Sequence, residues 1–403
     1  MNKESALNLD YCVRCGSCKA LCPTYSEEGV EGMSARGRVV LLRELESGSL
    51  APSALLDKMI FSCMLCGACN KLCPLGIDIT GAVYEGRKKL NTSGRKRKFI
   101  NFAAKLAFIR TAVSFRALKF LESINEVFPF YRIRPFSILR KLGVSTPAYT
   151  LRDGASLFKV PGAKGRIAVF AGCTVNYLYP RTGEALIRSL NALRYDVVLP
   201  KGEVCCGAPL LGLGLEKEAA ELAQRNMNTF SRLKVEAVVG LCPTCVHFVK
   251  NEYKGLVGSG MDNAVDVTQF FSSGLPPDSL RPPAGRDTVR AVYHDPCHSL
   301  HHLGVSAEPR QLMASMGYAL LDAERGCCGF GGTFRLLYPG LSEGILRQTK
   351  EQYRKADLIV TSCPNCVLQL RSAIEDREVK HIVELIAERL QENGHEREKK
   401  DKR

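Results

Sequence analysis

Residues 12–23 read CVRCGSCKALCP, and residues 63–74 read CMLCGACNKLCP. Both stretches follow the pattern C-x2-C-x2-C-x3-C-P, in which four thiols and a proline recur at fixed spacing. Three closely spaced thiolates on a tight turn can hold three corners of one metal–sulfur cube. Gly16 and Gly67 lie inside the two turns, where the missing side chain lets the backbone bend around sulfur. The sequence therefore predicts two metal centres in this part of the chain.

The spacing within each run is the one that bacterial ferredoxins use for [4Fe–4S] clusters, where the fourth cysteine ordinarily ligates the other cluster. We therefore expect one cluster on Cys12, Cys15, Cys18 and Cys73, and the other on Cys63, Cys66, Cys69 and Cys22. Two zinc sites are the alternative, because four thiolates also suit tetrahedral zinc. The 40 residues between the runs contain helical patterns at 37–45 and 52–61, so we predict a helical two-cluster module.

The sequence pattern changes near Gly165, after which short apolar runs alternate with helical patterns. We predict strands over 167–171, 196–199, 237–240, 291–294, 319–322 and 358–361, with helices over 184–193 and 216–233. This alternation is typical of α/β layers with a largely parallel sheet. The cysteines of the region follow the strand ends, where such sheets commonly place ligands.

The cysteines of the α/β part form a repeat. They fall into two sets of five: Cys173, Cys205, Cys206, Cys242 and Cys245, then Cys297, Cys327, Cys328, Cys363 and Cys366. Corresponding cysteines of the two sets lie 124, 122 and 121 residues apart, and the tetrapeptides VCCG and CPTC of the first set recur as GCCG and CPNC in the second. We therefore expect two homologous lobes, joined by the Gly- and Pro-rich stretch 255–285.

Each lobe brings together more cysteines than a mononuclear zinc site needs. One iron–sulfur cluster per lobe is the first hypothesis, and the alternatives are a structural metal in one or both lobes or thiols that are merely buried. The 18 cysteines divide into sets of four, four, five and five, so none is left for a disulfide. That division favours a reducing compartment.

Four of the seven histidines cluster around Cys297: His294, His298, His301 and His302. A histidine beside a cluster can donate a proton or a hydrogen bond to sulfur. His294 and His298 are therefore candidate proton donors, and the alternative is that each is a turn histidine with its hydrogen bonds satisfied.

The net charge of +15 is concentrated in one segment. Residues 87–141 contain 15 Lys or Arg and two acids, which gives +13 and leaves +2 for the other 348 residues. Apolar residues recur there at helical spacing: Phe99, Phe102, Ala103, Leu106, Ile109, Val113, Phe120, Leu121 and Ile124. A basic amphipathic helix suits an anionic membrane surface or an acidic partner, and a core-facing helix with a solvated basic face is the alternative. Nucleic-acid binding is disfavoured because no nucleic-acid module accompanies the charge.

Outside the basic segment, nearly the whole chain resembles a known family. Two ferredoxin runs followed by two CCG (Cys-Cys-Gly, cysteine-rich) domains are similar to the iron–sulfur subunits of glycolate oxidase. The same plan is found in the C subunit of anaerobic glycerol-3-phosphate dehydrogenase and in the D subunit of heterodisulfide reductase. The stretch SARGR at 34–38 is similar to the S-x-R-G-R sequence of the glycolate-oxidase branch. The resemblance implies an α/β fold with an α-helical ferredoxin-type amino-terminal module and duplicated cysteine-rich CCG α/β lobes.

The resemblance also implies metal ligands in the lobes. In heterodisulfide reductases, complete CCG motifs hold non-cubane [4Fe–4S] clusters that cleave a disulfide, which would assign each set of five cysteines to one cluster. The second lobe has 29 and 34 residues between its cysteine groups, against 31 and 35 in the first, and related CCG domains can carry zinc. We therefore expect two [4Fe–4S] clusters near the amino terminus and one or two further clusters, or zinc in one lobe.

Five regions follow from these patterns. They are a helical two-cluster 4Fe-4S ferredoxin domain at 1–90, a basic amphipathic helical connector at 91–160, a first CCG cysteine-rich domain at 161–260, a second at 286–392 and a polar tail at 393–403, which we expect to be frayed.

No G-x-G-x-x-G follows a strand and no P-loop is present, so an organic cofactor is not expected. We therefore expect an electron-transfer subunit of an oxidoreductase complex. It would take electrons from an FAD-containing 2-hydroxyacid (glycolate or lactate) dehydrogenase subunit and pass them toward a membrane cytochrome b or a quinone-reactive partner. A disulfide reductase like the D subunit of heterodisulfide reductase is the alternative, and a metal-stabilised scaffold is a third hypothesis.

The first ten residues lack the order of a secretion signal, and no stretch approaches 18 uncharged apolar residues. We expect a cytoplasmic protein that associates peripherally with the inner face of the cytoplasmic membrane through 95–125.

Overall fold

The computed structural model describes residues 8–91, 95–125, 146–276, 278–282, 288–324 and 326–401. It is a mixed α/β protein with two parallel sheets, which confirms the predicted fold class at that level. Residues 126–145, in the middle of the predicted basic connector, lie outside the described residues.

The amino-terminal module is built from short helices. They are α1 (Pro23–Glu28), α2 (Ala35–Glu46), α3 (Ala54–Phe61), α4 (Ala68–Leu72) and α5 (Ile79–Leu90), with 3-10 turns at Asn8–Tyr11, Ser17–Lys19 and Glu31–Met33. The sequence sets the helix starts, because Ser34 Oγ accepts from Gly37 N at 2.9 Å and Asp78 Oδ1 accepts from Gly81 N at 2.9 Å. The apolar faces of α2, α3 and α5 pack together in one core.

Two further helices, α6 (Arg95–Ile109) and α7 (Thr111–Asn125), lie in the first part of the connector. Their apolar residues do not all face the core: Phe99 is 72% exposed and Phe102 68% exposed. Arg97 is buried instead, because its guanidinium stacks 3.5 Å from the centre of the Phe61 ring and pairs with Asp57 at 2.5 Å. Leu106, Val113 and Phe120 are exposed as well, whereas Ile109 packs against the core, so the stripe faces solvent only in part.

The first lobe has the sheet order β1-β3-β2-β4-β5, in which only β1 is antiparallel to its neighbour. Its strands are β1 (Leu157–Phe158), β2 (Gly165–Phe170), β3 (Tyr195–Val198), β4 (Ala237–Gly240) and β5 (Ala264–Asp266). Its helices are α8 (Gly172–Leu178), α9 (Pro180–Ala192), α10 (Ala208–Leu211), α11 (Glu216–Phe230), α12 (Pro243–His247), α13 (Tyr253–Val257) and α14 (Val267–Gly274), with a 3-10 turn at Leu151–Asp153 and a π-helical turn at Phe248–Glu252.

The second lobe repeats this sheet as β7-β6-β8-β9, with every pair parallel. Its strands are β6 (Arg290–Tyr293), β7 (Ala319–Leu320), β8 (Leu358–Thr361) and β9 (Glu378–His381). Its helices are α15 (Ala307–Ser315), α16 (Phe334–Leu337), α17 (Pro339–Gln352), α18 (Pro364–Arg371) and α19 (Ile382–Asp401), with a π-helical turn at His298–Leu303.

The two lobes pack against each other around shared apolar cores. Helix α9 of the first lobe lies against α19 of the second, where Thr182 donates to Glu384. His381 Nε2 lies 3.0 Å from the carbonyl oxygen of Leu241, which links the strand ends of the two sheets. The duplicated halves therefore form one body in which their cysteine-bearing edges meet.

The last helix runs into the predicted polar tail, because the backbone of α19 continues to Asp401. The tail is rich in Glu, Lys and Arg, which are good helix formers. Among the described residues, we find no helix with the length and apolar character that crossing a membrane requires.

Candidate metal centres

The first cysteine group lies near the surface of the amino-terminal module. Cys12, Cys15, Cys18 and Cys73 line one small hollow of about 20 Å³. The turn that carries them has left-handed backbone at Arg14 (φ 57°) and Gly16 (φ 88°), which lets the chain wrap around the hollow. Burial raises the pKa of Cys18, and the neighbouring thiols, Cys12 first among them, raise it further.

The second cysteine group has the same local geometry in a buried setting. Cys22, Cys63, Cys66 and Cys69 line a hollow of about 20 Å³. Leu65 (φ 55°) and Gly67 (φ 79°) repeat the left-handed positions of the first run. Burial raises the pKa of Cys66 to about 12. In both groups the structure thus brings together three cysteines of one run and the last cysteine of the other.

The SARGR stretch contacts both groups, which the sequence did not reveal. Arg36 Nη1 donates to the carbonyl oxygen of Arg14 at 3.1 Å, within the first turn. Arg38 is 1% exposed and its Nη1 lies 3.9 Å from Cys22 Sγ, while its Nε donates to the Met59 carbonyl at 2.8 Å. Between the two arginines, Gly37 is required for space, because a Cβ there would lie 2.0 Å from the carbonyl oxygen of Glu31.

The lobe cysteines lie where the parallel strands end and helices begin. Cys242 and Cys363 are the residues that precede α12 and α18, and each of those helices starts with a proline. Gly207 follows the Cys205–Cys206 pair with φ 95°, so the chain turns sharply there into α10. Every cysteine of the two predicted sets except Cys327 lines one cavity of about 120 Å³, which the two lobes share.

Direct contacts join the two lobes across this cavity. Thr174 Oγ1 donates to Asn365 Oδ1 at 2.8 Å, and Asn365 Nδ2 lies 4.0 Å from Cys242 Sγ. Hydrogen bonds from the Cys245 and Cys363 thiols hold the pKa of Cys242 well below its ordinary value. The thiol sets that we predicted one per lobe therefore face each other.

The second lobe has an additional ligand type. His294 is buried, and one of its ring nitrogens lies within 4.8 Å of both Cys328 Sγ and Cys366 Sγ. Those two sulfurs are 3.2 Å apart. His294 Nδ1 is 2.7 Å from the hydroxyl of Tyr353, which fixes the ring.

Two more of the clustered histidines, His298 and His302, lie against His247 of the first lobe. His298 Nδ1 is 3.4 Å from Cys297 Sγ, and its pKa is lowered well below the usual value because it is buried. The ring of His302 packs against that of His247 of the first lobe, with ring centres 4.1 Å apart and planes inclined by 34°. Burial lowers the pKa of His302 to about 4. The ring of His302 lies close to Gly67, where a Cβ would be 2.4 Å from Nε2. This packing brings the second cysteine group against the second lobe.

Two further contacts join the amino-terminal module to the lobes. Met64 Sδ lies 3.8 Å from Cys327 Sγ. The buried guanidinium of Arg87 donates to the carbonyl oxygens of Ile60, Phe61 and Cys63 and, at 2.5 Å, to that of Gly212 in the first lobe. Neither residue stood out in the sequence, because their partners are distant along the chain.

The chain matches two domain models. The 4Fe-4S dicluster domain matches residues 8–77, and the cysteine-rich domain matches 167–250 and again 291–371.

Curated relatives extend over most of the chain. The probable glycolate oxidase iron-sulfur subunit of Bacillus subtilis is 28% identical over 93% of this chain and 90% of its own length. The glycolate oxidase iron-sulfur subunit of Escherichia coli is 27% identical, with 94% of both chains covered. The D subunit of the dihydromethanophenazine:CoB–CoM heterodisulfide reductase of Methanosarcina barkeri is 26% identical over 95% of this chain and 94% of its own. The chain therefore carries a 4Fe-4S dicluster domain followed by two cysteine-rich domains, and it is a homologue of these oxidoreductase iron–sulfur subunits.

Proposed function

We propose that this chain is the iron–sulfur electron-transfer subunit of a glycolate- or lactate-type (2-hydroxyacid) FAD dehydrogenase complex. It would pass electrons from a flavoprotein partner toward a membrane quinone or cytochrome acceptor. The observation that carries the proposal is the set of thiol groups that begins at the exposed Cys15 and includes Cys63 and the buried Cys328, which line one cavity. When bound, iron–sulfur clusters supply one-electron transfer.

The proposed ligands are the 18 cysteines in their spatial groups. The donors fit such clusters because each hollow of the amino-terminal module is lined by four thiols and each lobe offers five. Arg38 and the backbone of both turns would hold the thiols of the module in place. His294 and His298 remain the candidate proton donors beside the second-lobe thiols.

The first cysteine group offers a surface for the flavoprotein partner. Cys15 is exposed, and large apolar side chains around this group also face solvent: Tyr11 at 70%, Val13 at 69% and Leu75 at 50% exposure. Exposed apolar residues grouped around a metal site are typical of a docking surface, because binding removes them from water. We infer that the dehydrogenase subunit binds here.

The α6–α7 surface is a separate docking face. It consists of the exposed residues Phe99, Phe102, Leu106, Val113 and Phe120. Exposed basic residues flank it, among them Lys98 and Arg116. Apolar rings with cations beside them suit an anionic lipid surface, so we infer that this face holds the protein on the inner face of the cytoplasmic membrane.

Affinity purification of the full chain from its own cells, without oxygen, tests the proposal. We expect a co-purifying FAD-containing subunit, and we expect glycolate or lactate to bleach the visible absorbance of the complex but not that of the isolated chain. A complex without flavin, or one that no 2-hydroxyacid reduces, would contradict the proposal.

A disulfide reductase is the second candidate, and the shared cavity favours it. Both lobes direct thiols into that one cavity, which has about 120 Å³ between them. A disulfide bound there would need two electrons and two protons to leave as two thiols. Anaerobic reoxidation of reduced viologen by the isolated chain, dependent on an added disulfide, would select this function over the first.

A further inference from the structure

A second cavity, of about 520 Å³, opens on the other side of the first-lobe cysteines. Its walls come from α7, residues 146–153, α8, residues 201–205 and Arg225 of α11. Its size is typical of sites that hold small organic molecules. Cys173 and Cys205 line both this cavity and the one shared by the lobes, so these thiols form the wall between them.

The charge of the lining is strongly positive. Six basic side chains line the cavity: Arg110, Arg116, Lys119, Arg152, Lys201 and Arg225. The two acidic residues of the lining, Asp153 and Glu203, already have partners within the chain. Asp153 Oδ2 accepts from Thr150 N at 2.7 Å, and Glu203 pairs with Arg152 while accepting from Gly172 N at 2.7 Å.

Most of the cations, by contrast, have no carboxylate of their own. Within the described ranges, no ion pair forms to Arg110, Arg116, Lys201 or Arg225. Four unpaired cations around one hollow create a positive potential that attracts anions, and cavity walls strengthen it by excluding water. The lining thus favours negative charge beyond the carboxylates that the described part of the chain supplies.

One wall of the cavity is aromatic. The rings of Phe115 and Tyr177 stack with centres 4.4 Å apart and planes inclined by 9°. Arg116, the neighbour of Phe115, is close enough to influence the pKa of Tyr177, so a cation and the apolar wall are adjacent. A ligand that satisfies both features carries an anionic group on an apolar, ring-bearing body.

We propose that this basic cavity binds a small amphipathic organic anion, a carboxylate or phosphate ester with an apolar ring, beside the thiols of the first lobe. Its anionic group meets Arg116, Lys201 and Arg225, and its ring packs against Phe115 and Tyr177. The site borders the cavity shared by the lobes at Cys173 and Cys205 and the α6–α7 surface at Val113 and Arg116. Its ligand goes beyond the proposed function, which names no small molecule here.

Isothermal titration calorimetry of the full metal-loaded chain, without oxygen, tests the site with 1-naphthyl phosphate as the probe. We expect saturable binding at one site per chain, weaker binding of uncharged 1-naphthol, and loss of affinity at high salt. The double variant Lys201→Gln/Arg225→Gln should bind the ester about tenfold more weakly or worse, because each charge-assisted hydrogen bond contributes roughly that factor.

The matched control is Arg232→Gln/Lys234→Gln, which removes the same charge from exposed positions of the same lobe that do not line the cavity. Its affinity should stay within about twofold of the unaltered chain. Phe115→Ser, which leaves the charge of the cavity unchanged, should also weaken the binding of 1-naphthyl phosphate. If the lining variant fails to fold by circular dichroism, Arg116→Gln replaces it. Equal affinities of lining and control variants, or no saturable binding, would overturn the proposal.

Discussion

His294 Nδ1 lies 2.7 Å from the hydroxyl of Tyr353 in the second lobe, beside Cys328 and Cys366. In the first lobe, Phe170, which the 124-residue repeat places opposite His294, stacks on Phe230 with ring centres 5.4 Å apart. The two halves therefore share a backbone plan while one apolar pair has become a polar pair next to thiols. This difference makes the two sets of lobe cysteines chemically unequal, although their spacing is almost the same.

Tyr353→Phe should destabilise the protein, because it leaves the buried Nδ1 of His294 without its partner. Losing a hydrogen bond to a buried polar group costs about 1–3 kcal/mol, so a fall in Tm of a few degrees is expected in anaerobic thermal unfolding. The control is Tyr149→Phe, whose hydroxyl bonds to Glu184 at an exposed position and should leave Tm unchanged. Equal Tm values for the two variants would contradict the structural role of the pair.

Arg38→Lys should weaken the second cysteine group, although it keeps the charge. The guanidinium donates to the Met59 carbonyl and to the hydroxyls of Thr24 and Ser62, and an ammonium cannot reproduce that planar set. We expect less iron per chain after anaerobic purification, since the thiols around Cys22 lose their support. Arg43→Lys, on the exposed side of the same helix, is the control, and equal iron content in both variants would argue against this role.

Asp266→Asn should stabilise the protein above pH 6 but not near pH 4. Asp266 is fully buried, and burial raises its pKa to about 6 although Thr268 donates to Oδ1. The unfolded carboxyl titrates near 4, so between about pH 4 and 6 the folded state binds more protons and stability falls as pH rises. Asparagine keeps the helix cap and carries no charge.

The measurement is Tm at pH 5 and pH 8 for the unaltered chain and for Asp266→Asn. The advantage of the variant should be of the order of 1–3 kcal/mol at pH 8 and smaller at pH 5. Asp262→Asn, at an exposed carboxylate whose pKa Lys254 lowers, should give no gain at either pH. A constant difference between Asp266→Asn and the unaltered chain would rule out this titration.

Phe99→Ser/Phe102→Ser should reduce binding to vesicles of anionic lipid. Both rings are more than two-thirds exposed, so their contribution to folding is small while their contribution to membrane insertion is large. Flotation of the full chain at low and high salt measures this. The control is Leu55→Ser/Leu336→Ser, which removes two exposed apolar side chains elsewhere. If the unaltered chain does not float with the vesicles, or floats equally at low and high salt, the α6–α7 surface binds a protein partner instead of lipid.

Local patterns were sufficient to predict much of the fold. The predicted strands at 237–240 and 358–361 match β4 and β8 residue for residue, because these β-branched-rich apolar runs are too short for helices and a proline follows soon after each. β5 and β9 went unpredicted, since three or four residues with polar members have no clear period.

Tertiary packing accounts for what the sequence could not reveal about the site. The spacing of the cysteines was enough to predict their groups. The cavity that the two lobes share could not be predicted in this way, because it depends on the packing of α9 against α19. Tyr353 lies 59 residues from His294 along the chain, so no motif connects them. For the apolar stripe of α6 the sequence left a docking face and a core face both open, because periodicity shows that apolar residues share a side, not which way that side points.

Iron and acid-labile sulfide per chain, with low-temperature EPR of anaerobically purified protein, test the central claim that the series of clusters continues into the lobes. We predict more than the roughly eight irons that two [4Fe–4S] clusters require. Cys242→Ser/Cys363→Ser should lower the iron toward that value while the two cubane signals persist. About eight irons in both proteins, with only two ordinary cubane signals and zinc in the lobes, would contradict the account.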